Sequence, residues 1–181
     1  MSDLYDQIVS QRGSFERLVA RLPGFGGYVD KNARRQADRM LRDHIAELIS
    51  QRLQRLTQIE KSLLDAPGGM SYMTRTGSIK TKMQTYHDRI KAQAPGYAGF
   101  FDAVKIREAE LEKLYNFDEA LAAYADKFGE ALESLAGAVT SGDKAAIDQQ
   151  LAALDKLTIE ANDALSLRND VLTNLSKTTG T

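Results

Sequence analysis

The sequence contains no cysteine and only two histidines, His44 and His87. Without cysteine the chain has no disulfide framework, no thiolate metal site and no cysteine nucleophile. Di-iron carboxylate centres in helical bundles use Glu-x-x-His motifs on inward faces, and the sequence contains none. We therefore expect no metal site and no cofactor, and the lack of cysteine fits a reducing cytosol.

Long apolar runs are also missing. No stretch approaches the roughly 18 continuous apolar residues that a membrane span requires. The N-terminus carries Asp3 and Asp6 and lacks the apolar centre of a secretory signal peptide. We expect a cytoplasmic protein that reaches a membrane only peripherally, at its inner face.

Proline occurs three times and tryptophan not at all, whereas Ala, Leu, Glu, Lys, Arg and Gln dominate. These residues favour helices, and apolar residues recur at steps of three and four, as in the stripe Ile79, Met83, Tyr86 and Ile90 of the third predicted helix. Pro23, Asp65–Gly69 and Ser141-Gly142 punctuate the pattern, and Asp143 is a candidate helix N-cap. The sequence predicts an all-α protein with five helices, over about 3–22, 30–64, 72–93, 106–140 and 143–176, with a weak point at Gly77 and a frayed tail over about 177–181.

Two eight-residue segments, PGFGGYVD (23–30) and PGYAGFFD (95–102), are nearly the same. Similarity extends over about 15–42 and 87–114, so a short helix, a corner and a long helix occur twice. Proline ends one helix and glycine permits a sharp reversal. We predict one domain over 1–181, an elongated antiparallel bundle of two related hairpins with pseudo-twofold symmetry. The residues assigned to the structural corners are Pro23, Gly24, Gly27, Tyr28 and Asp30, and then Pro95, Gly96, Gly99, Phe100 and Asp102.

The charges are divided unequally along the chain. Residues 1–92 hold 16 Lys and Arg against 10 Asp and Glu, a balance of +6, and residues 93–181 hold 8 against 15, a balance of −7. Basic and acidic helices packed side by side would neutralise each other. The other interpretation is a basic face that recruits an anionic partner.

Four arginines on the second predicted helix form the candidate anion-binding or partner-binding group. Arg35, Arg39 and Arg42 share one face, and Arg34 and Arg35 follow the glycine-rich segment Gly24–Gly27. That segment lacks the Lys-Ser/Thr of a P-loop and follows no strand, so a structural corner is the simpler interpretation. The arginines have three candidate partners, namely acidic helices of this chain, an anionic partner or nucleic acid; the near-neutral chain makes nucleic acid unlikely as a partner.

A Ser-His-Asp system could be assembled only from Ser71 or Ser78 with His87 and Asp88. Adjacent His and Asp residues point in different directions on a helix, so we expect poor geometry. The sequence predicts no catalytic residues, no small-molecule substrate and no enzymatic activity.

The stretches RLPGFGGYVDKNARRQADRMLRDHIAELI and GYAGFFDAVKIREAELEKLYNFDEAL resemble a family of small, uncharacterised bacterial helical proteins. The shared features are an LPGFxGY corner before an Arg/Glu-rich helix and a later GYxGFFD segment, and the resemblance covers most of residues 15–125. The chain departs from the family at Asn32-Ala33, where an acidic and a branched apolar residue are usual. The resemblance implies a helical fold and a bacterial cytosolic origin, and it implies no reaction.

Two functions fit these features best, and an enzyme or small-ligand binder that uses the bundle core is a third alternative. The first is a non-enzymatic adaptor or scaffold whose long amphipathic helices bind a protein partner or a second copy. The alternative is a peripheral membrane-stress module, in which the basic N-terminal half and the segment MSYMTRTGSIKTKM (70–83) bind anionic lipid or a membrane-associated protein. In that case Met70, Met73 and Met83 would insert among cationic residues.

Overall fold

The computed structural model describes residues 31–66, 68–92 and 108–178, and all of its regular elements are helical. Four α-helices are present in this part of the chain: α1 (Lys31–Leu64), α2 (Met73–Ala92), α3 (Glu108–Ser141) and α4 (Lys144–Thr178). A short 3₁₀ helix, Gly69–Tyr72, precedes α2. The predicted all-α class is confirmed, and each of these helices begins and ends within two residues of its predicted bounds. The first predicted helix (3–22), both corners and most of the repeat lie outside the described residues.

The bundle is elongated because three of its helices are long. At about 1.5 Å per residue, α1, α3 and α4 each extend for roughly 50 Å, whereas α2 has only 20 residues. Each helix packs mainly against two others, in the cyclic order α1, α2, α4, α3. The α1–α2 and α3–α4 links are short and each joins an antiparallel pair, and both lie at the same end of the bundle because α1 and α3 run in the same direction.

The remaining neighbours are parallel. Residues of α2 contact residues 73 positions later on α4 in three successive pairs. A constant sequence offset between two contacting helices means that they run in the same direction. On the other side of the bundle, Arg52 and Arg55 of α1 lie against Gly129 and Glu133 of α3, 77 and 78 positions later, so these two helices also run in the same direction. Each helix therefore has one antiparallel and one parallel neighbour.

The core consists of one apolar stripe from each helix, as the spacing predicts. On α2 the predicted stripe is buried without exception. The Tyr86 ring packs edge-on against Phe128 of α3 with centroids 6.0 Å apart, and its hydroxyl donates to the Leu121 carbonyl at 3.0 Å. The stripe residues that are buried are Leu41, Ile45, Ile49, Leu56, Ile59 and Leu63 on α1; Ile79, Met83, Tyr86 and Ile90 on α2; Leu121, Tyr124, Phe128, Leu132 and Leu135 on α3; and Ile147, Leu151, Leu154, Ala161 and Leu165 on α4.

The α3–α4 link is only two residues long and is closed by a cap. Gly142 has φ +69°, in the left-handed region that favours glycine. Asp143 Oδ1 then accepts hydrogen bonds from the amides of Ala145 at 2.9 Å and Ala146 at 3.2 Å. The predicted N-cap is thus confirmed, and it turns the chain directly from α3 into α4.

The α1–α2 link depends on close packing of backbone. A Cβ atom on Gly69 would lie 1.9 Å from the Leu63 carbonyl oxygen. Gly77, in the first half of α2, is exposed, and a Cβ atom added there would have no neighbouring atom within 4 Å. Gly69 is therefore required, because a side chain at this position would collide with the backbone of α1. Gly77 is not required by any contact, and it leaves the interior of α2 with a residue of low helix propensity.

We predict that Gly69→Ala lowers the free energy of unfolding by about 2 kcal/mol, because backbone must move to admit the methyl group. Gly77→Ala is the matched control and should raise it by roughly 0.5 to 1 kcal/mol through helix propensity. Urea denaturation followed by circular dichroism measures both. Equal effects of the two substitutions would contradict the close contact at Gly69.

Candidate functional site

Three cations on α2, spaced seven residues apart, bind α4. Arg75 pairs with the carboxylate of Asp148, and its guanidinium also donates to the Asp148 carbonyl at 3.0 Å. Lys82 pairs with Asp155 one heptad further along. Arg89 donates to the carbonyl oxygen of Asn162 at 3.2 Å. We call these contacts the α2–α4 ladder.

The last step of the ladder contains an amide instead of a carboxylate. Asn162 donates to the Lys82 carbonyl at 3.1 Å and to the Thr158 carbonyl at 2.9 Å. Arg89 also donates to the Ser166 hydroxyl at 2.9 Å. The Asn162 side chain thus joins the backbones of the two helices, so this step depends less on charge than the other two.

The α2–α4 ladder connects the basic and acidic halves of the chain. Arg75 and Lys82 belong to the basic half, and Asp148 and Asp155 belong to the acidic half. Another cation of α2, Lys80, pairs with Glu60 of α1 at 3.0 Å. Three of the five cations of α2 therefore pair with carboxylates of α1 or α4 at the part-exposed edges of the bundle.

The α1–α3 side carries a second set of charges. Arg55 binds Glu133 with two hydrogen bonds of 2.7 and 2.8 Å, and the hydrogen bond from Arg55 lowers the pKa of Glu133. The guanidinium of Arg52 lies against Gly129, where an added Cβ would be 2.8 Å from the central guanidinium carbon. Glycine at this position therefore lets α1 and α3 approach closely with an arginine between them.

An open groove of about 550 Å³ lies between α2 and α4, on the outer side of the ladder. Its floor is apolar, and Ile159 at its edge keeps 46% of its surface exposed. Its rim carries charges of both signs, so it fits an amphipathic segment better than a uniformly charged ligand. The lining residues are Arg75, Ser78 and Ile79 of α2 and Leu151, Ala152, Asp155, Lys156, Ile159 and Glu160 of α4.

A buried polar cluster lies deeper in the bundle, where α3 is buried on every side from Asn116 to Ala122. Arg168 of α4 donates to Asp118 of α3 at 2.6 Å, and the two side chains are 3% and 6% exposed. Burial raises the pKa of Tyr86 well above its ordinary value, so this hydroxyl stays protonated and acts as a hydrogen-bond donor. The arrangement is an ion pair that orients α3 against α4.

The expectation that the His87 and Asp88 side chains point in different directions was wrong. His87 Nδ1 lies 2.7 Å from Asp88 Oδ1, because two flexible side chains on adjacent positions swing toward each other along the helix surface. Hydrogen bonds from His87 and then Gln84 lower the pKa of Asp88. Ser78 lies nine residues earlier on the same helix, about 13 Å along its axis, so a Ser-His-Asp triad with Ser78 is excluded.

The four candidate arginines are placed only in part. All four belong to α1, but the side chains of Arg34 and Arg35 lie outside the described part. Arg39 is exposed and lies 3.9 Å from Asp43, and Arg42 is half-buried with an interaction of its own. The ten corner residues, from Pro23 to Asp30 and from Pro95 to Asp102, also lie outside the described residues.

The segment 70–83 differs from the surface that lipid insertion requires. Met70 is 77% exposed, but Met83 is fully buried in the core, and Met73 packs partly against it. The cations between them are those that pair with α4 and with Glu60. In addition, no helix among the described residues is long and apolar enough to cross the bilayer, and these residues contain no group of three or more potential metal ligands.

No family model, curated protein or solved structure matches the chain. The resemblance to the bacterial helical family stays a prediction.

Sequence reasoning missed the ladder and the groove. The signal for the ladder was present, since Arg75, Lys82 and Arg89 recur every seven residues, as do Asp148, Asp155 and Asn162. The two seven-residue repeats predict a set of contacts only if α2 and α4 are known to be parallel neighbours. The Asp118–Arg168 pair has no comparable sequence signal.

We predict that Arg168→Met destabilises the fold by roughly 3 to 5 kcal/mol, because it leaves the Asp118 carboxylate buried without its guanidinium partner. Arg55→Met removes an exposed ion pair and should cost less than about 1 kcal/mol. Chemical denaturation of the two variants tests the difference, and the double variant Arg168→Met/Asp118→Leu should recover most of the loss. A destabilisation of the two single variants of the same size would contradict this assignment.

Proposed function

We propose that the protein is a non-enzymatic interaction protein, an adaptor or scaffold that binds a helical protein partner or a second copy through its long amphipathic helices. The observation that carries the proposal is the α2–α4 groove, with its apolar floor, mixed-charge rim and exposed Ile159. Grooves between helices receive amphipathic helices whose apolar residues recur every three or four positions. The proposed location is the cytoplasm of a bacterium.

Internal pairing of charge supports this proposal over anion recruitment. Three of the five cations of α2 pair with Asp148, Asp155 and Glu60, so an anionic partner would have to compete with contacts already made. The groove offers apolar surface instead, and a partner gains from covering it. Recognition would then depend mainly on shape and apolar contact, with charges at the rim giving direction.

The finer architecture belongs to the same proposal: five helices, arranged as two related hairpins with pseudo-twofold symmetry. Support comes from α1 and α3, which follow the two predicted corners, have 34 residues each and pack in parallel. A twofold axis that runs between two parallel helices, along their direction, exchanges them without reversing either one. Such an axis is the relation that the repeat requires.

The alternative function is the peripheral membrane-stress module. The exposed Met70, at the hairpin end of the bundle, favours it, whereas the burial of Met83 and the pairing of Arg75, Lys80 and Lys82 give it less support. Flotation with anionic vesicles at low and moderate salt tests this function. Binding at low salt that Met70→Ser abolishes would favour it, and absence of binding at low salt would remove it.

We predict that affinity capture of the tagged protein from its native cells recovers a specific protein, either another chain or untagged copies of this one, and that Ile159→Glu loses it. The charged side chain would lie at the edge of an apolar groove and oppose burial there. Gln54→Glu is the matched control, since it adds one negative charge at an exposed position of α1. Mass spectrometry identifies the proteins captured by the wild type, by Ile159→Glu and by Gln54→Glu.

A protein retained by the control and lost by Ile159→Glu supports the adaptor function. The same set of proteins in all three preparations would mean that the groove binds nothing, and the proposal would be wrong.

A further inference from the structure

The outer face of α4 carries a stripe that the bundle leaves uncovered. Successive residues of an α-helix are about 100° apart, so five positions of α4 fall within a sector of about 80°. All five are exposed. We call these residues the α4 outer stripe: Ala152, Lys156, Ile159, Asp163 and Leu167.

The stripe contains much of the exposed apolar surface of the described bundle. Ile159 is 46% exposed and Leu167 is 42% exposed, and they are two of the four large hydrophobic residues that stay exposed in the described part of the chain. They lie two turns apart with Asp163 between them. Ile159 also borders the α2–α4 groove, which gives room for a side chain that approaches from outside.

The charges within the stripe are of opposite sign and are weakly engaged. Lys156 lies 3.6 Å from Glu160 one turn away, with 78% of its side chain exposed. Asp163 follows Lys156 by seven residues, so the two lie on the same face about 10 Å apart. At that spacing they are too distant to pair with each other and are available to a second helix.

Reversing the stripe makes it complementary to itself. When an identical α4 lies antiparallel, with the midpoint between Ile159 and Glu160 of each helix at the crossing, Lys156 of one copy is level with Asp163 of the other. Ala152 is then level with Leu167, a small residue facing a large one. Because such a contact is isologous, each of these pairings occurs twice.

We propose that the partner of this face is a second copy of the chain, bound antiparallel through the α4 outer stripe, with Ile159 at the centre and two Lys156–Asp163 ion pairs beside it. The inference rests on the proposed function, since it names the occupant of the surface from which that function was argued. The apolar contacts supply the attraction, and the ion pairs set the direction and register of the two helices. A parallel pairing would place like charges level with each other, Lys156 beside Lys156 and Asp163 beside Asp163.

The test is charge exchange in the full chain, with sedimentation equilibrium over a range of protein concentrations. The wild-type protein should form a dimer. Lys156→Asp places two carboxylates beside each other at both ion-pair positions, and Asp163→Lys places two ammonium groups there, so each single variant should weaken dimerisation roughly tenfold or more. The double variant Lys156→Asp/Asp163→Lys recreates both ion pairs with exchanged signs and should recover the wild-type dimer.

Lys127→Asp, at an exposed position of α3, is the control for net charge and should dimerise like the wild type. Circular dichroism of every variant verifies that the helical content is the same, so that a change in mass reports association and not unfolding. Higher salt should weaken the wild-type dimer, because it screens the ion pairs.

Two results would overturn the proposal. A wild-type protein that remains monomeric at the highest concentration has no such interface. A dimer that the single variants form as well as the wild type, or that the double variant fails to restore, uses another surface or another register. Neither result removes the adaptor function, because a different protein whose capture depends on Ile159 would still support it.

Discussion

The parallel register of α2 on α4 is the constraint on which the rest of the described bundle depends. Apolar stripes alone tolerate sliding, because a shift of three or four residues brings another apolar residue to the same face. The α2–α4 ladder does not tolerate it, since a shift of four residues separates Arg75, Lys82 and Arg89 from all of their partners at once. With α2 positioned in this way, Tyr86 reaches Phe128 and the Leu121 carbonyl across the core, and α3 is placed as well.

The same ladder decides which surfaces remain for other molecules. It pairs two cations of the basic half, Arg75 and Lys82, with two carboxylates of the acidic half, Asp148 and Asp155. What remains exposed beside the ladder is a groove with an apolar floor and, next to it, a helix face that carries Ile159 and Leu167. The balance of interactions on this side of the bundle is therefore apolar attraction with charges of both signs around it, which favours a protein partner over a polyanion.

Local features of the sequence were sufficient for the helices. The bounds of four helices, the stripe on α2 and the Asp143 cap follow from propensity, spacing and capping chemistry, which act within a few residues. The prediction that the His87 and Asp88 side chains point apart failed for a reason that is also local. Helix geometry places the backbone, while side-chain torsions decide whether two adjacent groups meet. Long-range contacts, such as Arg168 with Asp118 or Arg52 beneath Gly129, had no sequence signal, because each depends on the distance between two helix axes.

By itself the sequence determined that this protein is helical, where its described helices begin and end, and which stripe of each helix avoids water, because turns, caps and amphipathic spacing are local properties. Only the tertiary structure decided that α1 runs beside α3 and α2 beside α4 in the same direction. That arrangement brought cations of the basic half into ion pairs with carboxylates of the acidic half, and it left the outer face of α4 uncovered. The physical reason is that an apolar stripe predicts which face of a helix is buried but not which helix packs against that face. The pairing of the helices depends on the packing of all four together.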